Sequence, residues 1–284
     1  MDGIARAMMI KSAVRIVRPS LEIFMSTQYS LIFRSQNSMW HALILLIATG
    51  ATNLVNAADI RELIPGKILE VHYEGFTVWL DCMKRGAFRF EYTATKDTGT
   101  LPRVAKFLLD SDVPGECQQE SAATYRAPGV SYDRGHLVPA NHLDGSAIGI
   151  RQSNFMTNIL PQAASMNRGA WLHTEEIIEC YRDIKDLHVV GGVIWGFNPH
   201  DDYFLESHGV VTADYFWKVV IASDDAIAWI VPNSDLAKAN MLDAYLVDVA
   251  TIERLLGEEF DLPTELSTKH PEQSWPIPDG CNKG

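Results

Sequence analysis

The most informative residues of this chain lie in three neighbouring segments: SYDRGHLVPANH at residues 131–142, NILPQ at 158–162 and MNRGAW at 166–171. They bring together histidine, arginine and neutral amides, with the carboxylate of Glu175 just beyond. Histidine is the side chain whose ordinary pKa lies nearest neutrality, so His136 is the natural general base, with His142 as its alternative. Arg134, in the same tetrapeptide, offers a forked donor to phosphate oxygens.

The segment that begins at Asn167 predicts a helix with one polar side. Asn167, Trp171 and Glu175 follow at four-residue intervals, so on a helix they run down roughly one side. An amide oxygen and a carboxylate there make a sparse oxygen site, suited to a Mg²⁺ ion that keeps most of its waters. Trp171 fits the apolar positions of the helix and is predicted to lie in the core, whereas Glu175 beside Glu176 is alternatively a solvated helix face.

The same residues carry a family resemblance. Asp133-Arg134-Gly135-His136, followed by Asn-x-x-Pro-Gln and Asn-x-Gly-Ala-Trp-x-x-x-Glu, resembles the motif set of the DNA/RNA non-specific endonuclease family, a ββα-metal group. The tetrapeptide alone is a weak signal, but the three blocks in this order and spacing are a strong one. The resemblance implies an α+β, ββα-metal nuclease fold: a central, largely antiparallel sheet flanked by helices, in a single domain over residues 58–284.

The resemblance also implies roles for the motif residues. His136 is the implied general base, Asn167 the implied ligand of Mg²⁺ (with Mn²⁺ as the alternative), and Glu175 the carboxylate that orients a metal-bound water. Asn158 and Gln162 are assigned to substrate binding, as amides that shape the site.

Stabilisation of the negative charge on the phosphate is assigned to arginine. The family places a substrate-clamping arginine shortly after an early hairpin, and this role is carried to Arg103, with Arg134 as a second catalytic arginine. Lys96 and Arg85 are the fallback candidates, although either one is alternatively a solvated turn charge. Arg134 is alternatively a structural ion-pair partner, and Asp133 is expected to brace the motif loop through backbone hydrogen bonds.

The implied activity is a Mg²⁺-dependent, sugar-non-specific endonuclease that cuts DNA and RNA to 5′-phosphate products. The sequence contains no zinc finger, recognition helix or basic stripe that would read base edges, which predicts little sequence preference. Two alternatives remain: a catalytically silent nucleic-acid-binding protein on the same fold, and a phosphodiesterase that acts on small nucleotides. Many relatives are dimers, so a homodimer is a further expectation.

Net charge argues in the opposite direction. The 284 residues carry −12; residues 1–57 contribute +3, so the remainder carries −15. Phosphate contacts dominate nucleic-acid affinity, and an acidic protein is an awkward binder of a polyanion. The endonuclease hypothesis therefore requires a local basic cleft.

The first 57 residues resemble a targeting segment. Residues 40–48 form an apolar core too short to span a bilayer comfortably, and Val55-Asn56-Ala57 fits signal-peptidase cleavage before Ala58. The prediction is a secreted or periplasmic protein without stable membrane association after cleavage, the alternative being an uncleaved anchor. The cysteines are even in number and lack a C-x-x-C pair, which indicates two disulfides; three pairings stay open. They are Cys82, Cys117, Cys180 and Cys281.

Alternating and continuous apolar runs predict the secondary structure around the motif stretch. Strands are expected at residues 68–73, 76–81, 87–95, 155–160, 187–195, 215–221 and 226–231. Helices are expected from Asn167 to about Asp183 and over 249–256, where Gly257 is a C-cap signal.

Overall fold

The structure, a computed structural model, describes residues 58–197 and 199–283. The targeting segment predicted for residues 1–57 lies outside the described residues, so it and the domain boundary remain predictions. The chain divides into two units: residues 1–47 with 250–261, and residues 48–249 with 262–284. The first unit is described only over 250–261, which is mostly helical; the second contains the sheet and the motif stretch. No helix within the described ranges is long and apolar enough to cross a bilayer.

The strands of the described residues are β1 (Asp59–Ile64), β2 (Ile68–Tyr73), β3 (Phe76–Asp81), β4 (Gly86–Ala94), β5 (Tyr132–His136), β6 (Ile159–Ala163), β7 (Leu187–Trp195), β8 (Ala213–Ile221), β9 (Ala226–Pro232) and β10 (Leu246–Val247). Eight of them form one sheet in the order β1-β2-β3-β4-β7-β8-β9-β10. Every neighbouring pair in it is antiparallel, which confirms the predicted central sheet. The sequence did not predict β1, a largely exposed edge strand rich in charged residues.

The helices of the described residues are α1 (Ala147–Ser153), α2 (Ala164–Met166), α3 (Leu172–Arg182), α4 (Leu205–His208), α5 (Val249–Leu256) and α6 (Thr264–Ser267). One π turn, Asn167–Trp171, joins α2 to α3, so the helical stretch is continuous from 164 to 182. The expected regular helix from Asn167 is thus wider in its first turn, a feature often found at functional sites.

The chain leaves the large sheet between β4 and β7, and this excursion contains the motif stretch. There β5 and β6 pair antiparallel, with His136 opposite Ile159 and Asp133 opposite Gln162. The predicted strand at 155–160 is corrected: residues 156–158 form a 3-10 turn and the strand starts at Ile159. Two paired strands followed by α3 make a ββα unit.

The large sheet supports this unit through buried aromatic packing. Trp171, at the end of the π turn, is fully buried and lies edge-on to Phe216 of β8, with 5.5 Å between ring centroids. The prediction of Trp171 as a core residue is therefore confirmed. Because burial of a large aromatic ring is among the strongest packing contributions, this contact fixes the helix against the sheet.

Two disulfides are formed, as predicted, and the structure decides their pairing. Cys82 pairs with Cys117, and Cys180 of α3 pairs with Cys281 near the C-terminus. The second bridge ties the chain's tail to the helix of the ββα unit.

Candidate active site

His136 closes β5 with one ring nitrogen engaged and the other available. Its Nε2 lies 2.8 Å from Oδ1 of Asn154, whose Nδ2 donates to the carbonyl of Val104 at 2.6 Å. That second bond orients the amide so that Oδ1 must accept, and Nε2 therefore carries the imidazole proton. Nδ1 forms no hydrogen bond within the described residues and keeps its lone pair.

The electrostatic surroundings keep His136 neutral. Burial lowers the pKa of His136 to about 4, opposed by its bond to Asn154 and assisted by the nearby charges of Arg103 and Arg134. The ring is still partly exposed and packs beside Phe107, with 5.5 Å between centroids. A neutral histidine with a free nitrogen is the state required of a general base at neutral pH.

Asn167 is held by Asp133, which lies in β5, the first strand of the ββα unit. Its Nδ2 donates to Asp133 Oδ2 at 2.9 Å, so its Oδ1 is turned away and has no partner among the described residues. Arg168 also grips Asp133, through Nε at 2.8 Å and Nη2 at 2.7 Å. Asp133 was expected to bond the backbone; its carboxylate instead aligns the two side chains that open the π turn.

The residues present fit a magnesium ion held by few protein ligands. Asn167 offers an amide oxygen whose other amide atom is already committed, and Mg²⁺ prefers oxygen ligands while retaining several waters. No group of three or more His, Cys, Asp or Glu side chains in the described ranges could hold a metal on its own. A site of one amide oxygen completed by water is compatible with that result.

Glu175 and Arg103 add opposite charges to the same region. Burial raises the pKa of Glu175 to about 7, while Lys218 and Arg103 oppose that rise. The Arg103 side chain is exposed, and neither it nor the Glu175 carboxylate forms an ion pair within the described part of the chain. Arg103 is close enough for its charge to act on both His136 and Glu175.

Two of the three remaining basic candidates, Arg134 and Arg85, are engaged by the protein itself. Nη1 of Arg134 donates to the carbonyl of Ala122 at 2.8 Å, and its guanidinium lies 4.1 Å from the centroid of the Phe107 ring. This agrees with a structural role, although its partners are a carbonyl and an aromatic ring rather than the carboxylate envisaged from sequence. Arg85 is tied to carbonyls of the 115–118 loop and to Glu120. Lys96 remains exposed.

Asn158 and Gln162 are completely buried, which agrees with amides that shape the site by bonding the backbone but not with direct contact to a substrate. Asn158 accepts from the backbone N–H of Val138 at 3.0 Å and donates to the carbonyls of Val138 and Ser153. Gln162 packs where a Cβ at Gly135 would lie, which explains the glycine of the tetrapeptide. Both amides shape the backbone that presents His136, and a substrate cannot reach them in this conformation.

His142, the alternative base, belongs to a second polar cluster along α3, here called the α3 network (Tyr92, His142, Glu179 and Arg182). Its Nδ1 lies 2.8 Å from the Tyr92 hydroxyl, and its Nε2 lies 3.3 Å from Glu179. Glu179 also bonds Arg182 at 2.8 Å. Burial lowers the pKa of His142 well below its ordinary value, and with both ring nitrogens engaged it is excluded as the base.

Two site residues were missed from the sequence. Asn154 was not identifiable, because its contact with His136 depends on how the excursion folds. Lys218 did carry a signal, namely a lysine inside the apolar strand FWKVVI at residues 216–221. It proves to be fully buried beneath Glu175's helix.

Comparison with known proteins agrees with this geometry. Residues 64–269 match the model of the family described as DNA/RNA non-specific endonuclease. Similar proteins include mitochondrial nuclease EXOG of Xenopus laevis, 25% identical over 179 residues (57% of this chain, 49% of that protein). A nuclease of Nostoc is 28% identical over 177 residues, covering 57% of this chain and 61% of that protein. Human endonuclease G is 26% identical over 148 residues, covering 48% and 49%.

The fold is also found among solved structures. A crystal structure of the EndoG/EndoGI complex superposes with a TM-score of 0.56 at 18% identity, covering 69% of this chain and 88% of that one. The chain spans about half to three-fifths of the length of the first two of these curated relatives. The family model matches most of the length of this chain, and this match is sufficient to assign the family. This chain belongs to the DNA/RNA non-specific endonuclease family.

Proposed function

We propose that the protein is a Mg²⁺-dependent, sugar-non-specific endonuclease that hydrolyses DNA and RNA to products bearing 5′-phosphates, with Mn²⁺ as an alternative metal. The observation that carries the proposal is the orientation of the His136 ring, whose Nε2 is held by Asn154 Oδ1 while Nδ1 has no hydrogen-bond partner among the described residues. A base with an available nitrogen suits phosphodiester hydrolysis. Arg103, which forms no ion pair within the described residues, and the helix on which Asn167 presents its Oδ1 supply the other groups that this reaction needs.

Each residue contributes a separate part of the reaction. Nδ1 of His136 accepts a proton from the attacking water, a contribution worth roughly 10²–10⁴-fold in rate. The water oxygen forms a bond to phosphorus as the bond to the 3′-oxygen breaks, which leaves the phosphate on the 5′ side. Arg103 stabilises the negative charge that grows on the phosphate oxygens.

The helix supplies the remaining groups. Asn167 would hold Mg²⁺ through Oδ1, kept in orientation by Asp133, and the ion would act as a Lewis acid at the phosphate. The Glu175 carboxylate orients water next to that position. Asp133 and Asn154 act indirectly, because they orient Asn167 and His136.

Arg126, close to the motif stretch, supports a polymeric substrate despite the acidic composition. A cavity of about 560 Å³ is lined by Arg126, Asp133 and Arg168 together with Tyr125 and Tyr132. Because Asp133 pairs with Arg168, Arg126 supplies the positive charge for a phosphate there, and such a contact positions a strand without reading its sequence. Secretion or periplasmic location and a homodimeric state remain part of the proposal.

The test uses the purified protein on supercoiled plasmid and on structured RNA, with Mg²⁺ and with chelator. We expect cleavage of both polymers that chelator abolishes and that His136→Ala loses. His188→Ala is the matched control, since His188 lies on β7 with an exposed side chain that pairs, among the described residues, with Glu91 alone.

Other outcomes identify the alternatives. Polymers that stay intact while a small phosphodiester is hydrolysed would indicate the small-nucleotide phosphodiesterase. Binding of DNA or RNA without any turnover would indicate the silent binding protein. Either result, obtained with folded protein and Mg²⁺, contradicts the endonuclease proposal.

A further inference from the structure

Lys218 has a fully buried side chain in the middle of β8. An ammonium in the protein interior is costly unless its surroundings compensate the charge. Burial lowers the pKa of Lys218 to about 8, and Glu175 opposes that shift. The group is therefore still largely protonated at neutral pH. The proposed reaction gives this charge no role.

The contacts of the ammonium lie on the helix of the ββα unit. Nζ donates to Thr174 Oγ1 at 2.7 Å and lies 3.7 Å from the centroid of the Trp171 ring. Side chains alternate along a strand, so Lys218 points to the same face as Phe216, which packs on the same indole. Within the described residues Lys218 forms no ion pair with a carboxylate.

These contacts connect Lys218 to both halves of the candidate site. The Trp171 indole that faces the ammonium donates to the carbonyl oxygen of His136 at 3.1 Å. Thr174, which accepts from the ammonium, donates in turn to the carbonyl of Trp171 at 2.7 Å. Glu175 is the next residue of the helix, so the buried charge lies beneath the turn that carries it.

Charged and titratable groups face Glu175 from several elements. The two cations whose charges act on the Glu175 carboxylate are Lys218 of β8 and Arg103 of the segment after β4. Tyr92 of β4 and His142 of the 140–143 turn are also close, and Glu176 adjoins it on the helix. Of the two cations, Arg103 is exposed and screened by solvent, whereas Lys218 is enclosed and its field is less screened.

We propose that Lys218 is a positioning residue whose buried ammonium, anchored by Thr174 and Trp171, favours the ionised form of the Glu175 carboxylate in the active site. Its catalytic consequence rests on the proposed nuclease function. The charge relation itself is a property of the folded protein and can be measured without turnover.

The decisive measurement is a ¹³C NMR titration of the Glu175 carboxyl in metal-free protein, assigned with Glu175→Gln. Lys218→Met keeps the length of the side chain and removes its charge. We expect the Glu175 midpoint to rise by roughly one to three pH units, which is the shift that a nearby opposite charge usually causes in the pKa of a carboxyl group. Lys185→Met is the control, because Lys185 pairs with Asp224 at the surface and should leave the midpoint unchanged.

A midpoint that does not move in folded Lys218→Met overturns the proposal. If that variant does not fold, Thr174→Val replaces it: loss of the acceptor favours the neutral amine, so the midpoint should again rise. An unchanged midpoint in folded Thr174→Val has the same adverse meaning.

Turnover provides the second readout. With plasmid as substrate, Lys218→Met should shift the acid limb of the pH profile of kcat to higher pH by the same interval and leave KM nearly unchanged. A purely structural lysine would lower the unfolding temperature without moving the limb. If the wild-type protein does not cleave, the proposed function fails, yet the NMR titration still decides the role of Lys218.

Discussion

The candidate site and the α3 network lie along the same helix but use their polar groups differently. In the α3 network, both ring nitrogens of His142 are engaged, and Glu179 bonds Arg182 and Asn141. In the candidate site, Nδ1 of His136, Oδ1 of Asn167 and the Glu175 carboxylate have no partner in the part of the chain that the structure describes. The first arrangement stabilises a fold. The second leaves atoms available for a metal, water and phosphate, so the two histidines have different tasks.

The largest expected effect separates activity from stability at His136. His136→Ala should lower the cleavage rate on the order of 10²–10⁴-fold, because the general base is lost. The unfolding midpoint should remain near wild type, since the ring is partly exposed and forms one hydrogen bond. Cleavage rates and thermal unfolding of one preparation check both statements. A variant that unfolds early but cuts at the normal rate would reverse the comparison.

The next effect is the opposite behaviour in the α3 network. Glu179→Ala should lower the free energy of unfolding by about 3 kcal/mol, because the buried His142 loses its carboxylate and the buried Arg182 keeps, among the described residues, only its ion pair with Asp97 at 3.3 Å. Below the unfolding transition, cleavage should continue at nearly the wild-type rate. Chemical denaturation measures the loss. Glu176→Ala is the matched control on the same helix, where the half-buried carboxylate meets His173 and Lys283.

A smaller effect tests whether Asp133 acts through Asn167. Asp133→Asn should raise the Mg²⁺ concentration needed for half-maximal cleavage by roughly 10–100-fold, the usual cost of losing the group that orients a metal ligand. Arg168→Ala removes the other partner of Asp133 but keeps the bond to Asn167, so its Mg²⁺ dependence should stay close to wild type. Equal shifts in both variants would show that Asp133 aligns the turn as a whole.

Local patterns predicted most of the fold. Alternating apolar residues marked β2 and β3, and uninterrupted apolar runs marked β7 and β9, because those strands bury side chains in one continuous core. The charged edge strand β1 has no such pattern. The π turn was also missed, since i→i+5 bonding there depends on packing against other elements rather than on the order of residues.

The site was predictable where a motif carries its own chemistry. His136, Asn167 and Glu175 could be named because one stretch holds a base, an amide and a carboxylate at regular spacing. Asn154 and Lys218 act through contacts between distant segments, which spacing along the chain does not encode. The buried positions of Asn158 and Gln162 likewise follow from the pairing of β5 with β6 and from the turn before it.

The smallest expected effect is in the pH dependence, and it sharpens the same comparison. With a pKa of about 4, His136 is already neutral above pH 5, so protonation of the base cannot reduce activity between pH 8 and pH 6. Glu175, with a pKa of about 7 in the metal-free protein, loses its charge over that interval. At low Mg²⁺, cleavage should therefore fall about tenfold from pH 8 to pH 6, as the ionised fraction of one such carboxyl does.

Two controls test whether the titration of Glu175 causes this fall in cleavage, which forms the acid limb of the pH profile. Glu175→Gln should cut more slowly but with no loss between pH 8 and pH 6, because the titrating group is gone. In the wild type, more Mg²⁺ should move the limb to lower pH, since a nearby cation favours the ionised carboxylate. A limb that persists in Glu175→Gln would instead place the titration on another group. In that case Lys218 would stabilise the fold, as the polar groups of the α3 network do. The catalytic side of the comparison would then rest on His136 and Asn167 alone.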